Sequence, residues 1–62
     1  MTPIDELAAW ASETNALWGV DRCTVDGRWM YCAWTGNSLT MVAMATNHQE
    51  AARLLLKKVR EA

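Results

Sequence analysis

Apolar and polar positions along this chain change period twice. Between Ile4 and Ala11, the residues Ile4, Leu7, Ala8 and Ala11 recur at helical spacing, and Trp10 widens the stripe. Thr2 offers a capping hydroxyl, Pro3 suits the first helical position, and Asp5 and Glu6 suit the positive end of the helix dipole. A helix is predicted from about Pro3 to Asn15. The stretch from Trp18 to Thr46 then reads as strands, with turn chemistry at Asp26-Gly27 and at Gly36-Asn37. Helical spacing returns at Ala51, Ala52, Leu55, Leu56 and Val59, with Leu54 at the margin. Asn47 and Glu50 form a capping-box pattern, and Lys57, Lys58 and Arg60 fall in the last turns. A second helix is predicted from about Gln49 to Glu61.

The predicted fold is α+β in the order α-β-β-β-α. It is a three-stranded antiparallel meander with two helices packed mainly on one face, and residues 1–62 form a single compact domain. Asp26-Gly27 suits a type I′ turn, which pairs Val25 with Arg28, Cys23 with Met30 and Asp21 with Cys32. A type II′ turn at Gly36-Asn37 would pair Trp34 with Leu39, Cys32 with Met41 and Tyr31 with Val42. A three-residue loop would instead turn the third strand over.

That register sorts side chains into two faces. Cys23, Val25, Met30, Cys32, Trp34, Leu39, Met41, Ala43 and Ala45 are expected beneath the helices. Trp18, Val20, Arg22, Thr24, Trp29, Tyr31, Ala33, Thr40, Val42 and Met44 make the other face. Its aromatic and apolar residues suit a contact surface, so Trp18, Arg22, Trp29, Tyr31, Val42 and Met44 are the candidate protein-binding residues. The same cluster can also serve as a homodimer seam or as core.

Composition narrows the function classes. The chain is 52% hydrophobic with four tryptophans and no phenylalanine, enough for a real core in 62 residues. A net charge of −1 provides no global drive toward nucleic acid or anionic lipid. No apolar run approaches the ~18 residues that span a bilayer. The opening MTPIDELAAW lacks the basic and apolar regions of a secretion signal, so a cytoplasmic location and no membrane partner are expected.

No catalytic constellation emerges. Cys23 and Cys32 fall diagonally in the predicted register, beyond ordinary disulfide reach, and read first as free apolar thiols. A disulfide is left as the alternative, because sheet twist can shorten a diagonal. With one histidine, His48, and no zinc-type cysteine spacing, no metal or cofactor is expected. Asp26 and Glu50 have structural roles, and the three glycines are isolated, so no phosphate-binding loop exists. An enzyme is not expected. Arg53, Lys57, Lys58 and Arg60 form a second candidate contact patch, read first as a solvated helix face.

The α-β-β-β-α order at this length resembles the double-stranded RNA-binding domain. That family grips phosphates with lysines at the start of its last helix and with the loop between its first two strands. Here those helix positions are His48, Gln49 and Ala52, and the loop is only Asp26-Gly27. The binding residues do not carry over, and nucleic acid is not the expected partner. In size and architecture the chain also looks like the small anti-CRISPR proteins of phages and mobile elements, which block an effector by occupying its surface. That resemblance implies a protein-binding inhibitor of a host protein or complex, acting in the host cytoplasm. A homodimeric assembly module is the alternative, and a nucleic-acid binder the third class.

Overall fold

A computed structural model of the chain describes residues 1–36 and 40–61, with Thr40 described by its backbone alone. The elements are α1 (Pro3–Thr14), β1 (Leu17–Val25), β2 (Arg28–Gly36), β3 (Thr40–Ala45) and α2 (His48–Glu61). The strands form one antiparallel sheet in the order β1-β2-β3, so the α-β-β-β-α meander expected from the pattern is the fold.

The helix ends follow from local chemistry. Thr2 Oγ1 accepts from Asp5 N at 3.2 Å, and Asp5 Oδ2 accepts from Thr2 N at 3.5 Å, a reciprocal capping box at α1. Asn15 stops α1 in the left-handed region at φ 56°. Asn47 caps α2 as expected, its Oδ1 accepting from Glu50 N at 2.8 Å. Glu50 itself does not close a box. Its carboxylate is gripped by Arg53, whose Nε donates at 2.8 Å.

The first hairpin has the expected register, Val25 facing Arg28 and Asp21 facing Cys32. Positive φ at Asp26 (52°) and Gly27 (77°) is what a type I′ turn requires. The second register differs. Gly36 pairs with Thr40, so Trp34 faces Val42 rather than Leu39, and Cys32 faces Met44 rather than Met41. Tyr31 faces Ala45 rather than Val42. The expected two-residue turn at Gly36-Asn37 falls partly on residues outside the described ones. The displacement is three positions, an odd number, and so it turns β3 over relative to β2.

This reverses the predicted faces of the first hairpin. Val20, Tyr31, Ala33 and Thr35 lie beneath the helices together with Met41, Ala43 and Ala45. Cys23, Val25, Met30, Cys32 and Trp34, expected inside, occupy the face without helices. On β3, Met41, Ala43 and Ala45 point inward as expected, but the expected partners on β2 were not the ones found. Leu39 lies outside the described residues. Size explains the outcome. Ala33, Ala43 and Ala45 are buried with Ala51 and Ala52 of α2, so small side chains meet across the sheet-helix contact. Trp34 at that centre would hold the layers apart.

Around the alanines, Leu7, Leu55 and Leu56 complete the buried core. Burying each leucine stabilises the fold by roughly 1.5–3 kcal/mol. Thr35, the buried polar residue, donates from Oγ1 to Leu17 O at 2.8 Å. The two helices run side by side in the same direction. Ile4 N donates to Gln49 Oε1 at 3.0 Å near one end, and Trp10 and Glu13 share a groove with Arg60 near the other.

Candidate functional site

Strand lengths create the most unusual surface. β1 and β2 pair over nine residues each, whereas β3 reaches only from Gly36 back to Tyr31. Beyond Tyr31 the β1–β2 hairpin projects as a two-stranded ribbon, with both faces available.

On the helix side of that ribbon, the Arg22 guanidinium carbon lies 4.3 Å from the centre of the Trp29 ring. This cation–π stack leaves Trp29 64% exposed. Next to it on β2, Tyr31 meets His48 of α2, ring centres 5.6 Å apart and tilted by 56°. Arg22, Trp29 and Tyr31, expected together from the sequence, are brought together, and His48 joins them. The sequence signal for His48 was weak, because its approach to Tyr31 depends on where α2 begins over the sheet.

Trp18 stays on the helix side but lies near the far end of β1, opposite Thr35. Val42 (39% exposed) and Met44 (47%) are on the opposite face of the sheet. The six predicted residues therefore make no single patch.

The helix-free face presents Leu17, Cys23, Val25, Met30, Cys32, Trp34, Val42 and Met44. Its centre is held by packing and a hydrogen bond. The Trp34 ring lies flat over Gly19, its cross-strand partner, and Trp34 Nε1 donates to Asp21 Oδ2 at 2.9 Å. Asp21, which the predicted faces would have buried, is exposed and fixes the indole. Burial pushes the Cys32 thiol above its ordinary pKa, and the neighbouring Cys23 thiol and Asp21 carboxylate act in the same direction. Both cysteines are free and half-buried.

The basic patch disperses. Arg53 is paired with Glu50, and Lys58 Nζ donates to the carbonyl of Val42 on β3 at 2.6 Å. Arg53, Lys57 and Arg60 line a shallow groove with Glu6 and Glu61, so carboxylates interrupt the positive charge. The hydrogen bond from Arg53 holds the Glu50 carboxyl below its usual value. Among the described residues, no three His, Cys, Asp or Glu side chains converge where a metal ion could sit. Among the same residues, no helix is long and apolar enough to cross a membrane.

Comparison with protein-family models, curated proteins and solved structures finds no match for this chain.

Proposed function

We propose that this domain is a non-enzymatic binding protein whose projecting β1–β2 hairpin enters a cleft of a larger protein partner and occludes it. The observation that carries this reading is the hairpin outrunning β3, with Trp29 exposed on one face and the apolar sheet surface on the other. Arg, Trp and Tyr are the residue types that dominate binding energy at interfaces. Here two are already ordered, Arg22 on Trp29 and Trp34 on Asp21, which lowers the entropic cost of docking.

Area favours a cleft over a second copy of this chain. Three strands about 4.8 Å apart, six to nine residues long at roughly 3.3 Å each, outline a face of about 400 Å². A standard interface uses roughly 800 Å² per partner. Face-to-face dimerisation falls short of that and leaves Trp29 uncovered, whereas a cleft gripping both faces of the hairpin covers Trp29 as well.

The two-sided contact is tested with Trp29→Ala on one face and Val42→Asp on the other. Each should weaken binding of a captured partner at least tenfold, as expected for residues near an interface centre, while unfolding stays cooperative. A partner lost with only one variant would reduce the site to one face. Binding by both variants as tight as that of the wild-type chain would sink the proposal.

The narrower form is an anti-CRISPR-type inhibitor acting on a host effector in the cytoplasm. Size and architecture support it. A reconstituted effector should then lose target binding or cleavage on addition of the wild-type chain and keep it with Trp29→Ala.

A further inference from the structure

The reversed register gathers sulfur. The chain has four methionines and two cysteines. Four of these residues share one patch of the helix-free face. Cys23 on β1 lies directly opposite Met30 on β2, and Cys32, the next β2 residue on that face, lies directly opposite Met44 on β3. Cys23 and Cys32 are diagonal neighbours, free and half-buried. The predicted register had separated Met44 from them.

We infer that Cys23 and Cys32, flanked by the thioethers of Met30 and Met44, form a binding site for one soft monovalent metal ion, copper(I).

Ligand chemistry selects the ion. Thiolate and thioether donors favour copper(I) over harder cations, and copper(I) accepts two- and three-coordinate geometries. Structural zinc requires four donors of the Cys, His or carboxylate type. Among the described residues no third such ligand joins the two cysteines, Asp21 being held by the Trp34 indole. The backbone keeps the pair available. Diagonal residues in a sheet sit with Cα atoms about 7–8 Å apart, beyond the roughly 4.4–6.8 Å that a disulfide spans. The two thiols are free and close enough for Cys23 to act on the Cys32 thiol, so one ion can contact both sulfurs. Binding displaces one proton from each thiol to solvent, leaving a bis-thiolate copper(I) unit with one negative charge. Exposed Arg28, opposite Val25 on the same face, provides a nearby cation. The site does not depend on the docking proposal, because it is complete in the isolated chain.

The test is an anaerobic titration of the full chain with copper(I) against bicinchoninate, read by the chelator's absorbance. The wild-type chain should withdraw one equivalent. Cys23→Ser or Cys32→Ser should each lower affinity at least a hundredfold, and Met30→Leu or Met44→Leu should lower it by about tenfold, the lower end of what supporting groups contribute. A second readout needs no variant: bound copper should protect both cysteines of the wild-type chain from iodoacetamide, as counted by mass spectrometry. No copper withdrawn from the chelator, or unprotected thiols in the presence of excess ion, would overturn the site. Tighter retention of zinc than of copper in the parallel titration would overturn the assignment of the ion.

Discussion

Gly19 and Trp34 show how much one residue can organise. A Cβ at Gly19 would lie 2.6 Å from Trp34 Cζ2, well inside contact distance. Glycine therefore lets the indole lie flat across β1, where its Nε1 reaches Asp21. Gly19→Ala should expel the ring, break that hydrogen bond and destabilise the fold by about 1–3 kcal/mol, the range for forced overpacking. Urea denaturation followed by tryptophan emission checks it, with a lower midpoint and a red-shifted native spectrum expected. An unchanged midpoint would mean that the glycine does not seat the ring. The glycine was visible in the sequence as an isolated residue within a strand, but its purpose was not. Only the pairing of Gly19 with Trp34 supplies it, and that pairing follows from the Asp26-Gly27 turn.

Among the elements, the two helices and the first hairpin were legible because each carries its own signals. Thr2 and Asn47 cap, Asp26 and Gly27 adopt positive φ, and the apolar spacing of α2 needs no tertiary partner to be read. The β2–β3 connection carried no comparable instruction, and a two-residue loop fitted Gly36-Asn37 equally well. The alanine contact decides at this scale. Ala52 is fully buried in the cluster that holds Ala33 and Ala43. Ala52→Leu adds volume where α2 meets the sheet, and a loss of about 1–3 kcal/mol is expected. For 62 residues at roughly 0.05–0.15 kcal/mol each, that is a substantial share of total stability. Thermal unfolding should show a midpoint lowered by several degrees, and an unchanged midpoint would place space between α2 and the sheet. On edge strand β3, Lys58 engages the Val42 carbonyl, one way a small sheet discourages further strand pairing.

For the whole molecule, two layers leave one sheet face without helices, and the short third strand leaves a ribbon projecting past it. The candidate site was legible in part. Arg22, Trp29 and Tyr31 do cluster, because the first hairpin register was readable from its turn. Val42 and Met44 do face away from the helices, but on the surface opposite Trp29, since their relation to β2 depended on the second register. The area argument yields a further expectation. Sedimentation at micromolar concentration should show a single species of 7.0 kDa. A stable dimer would return the helix-free face to the homodimer reading and remove the cleft.

The sequence alone determined where each element lies, how α1 and α2 start, how β1 pairs with β2, and that the sheet has two unlike faces. Only the tertiary structure decided which of those faces the helices cover. Alternation along a strand has a period but no sign: shifting β3 by an odd number of residues exchanges its partners while every local pattern stays the same. The choice is made by packing across the layers. Alanines at positions 33, 43, 45, 51 and 52 let α2 approach the sheet, and the cysteines, Met30 and Trp34 are left on the other side.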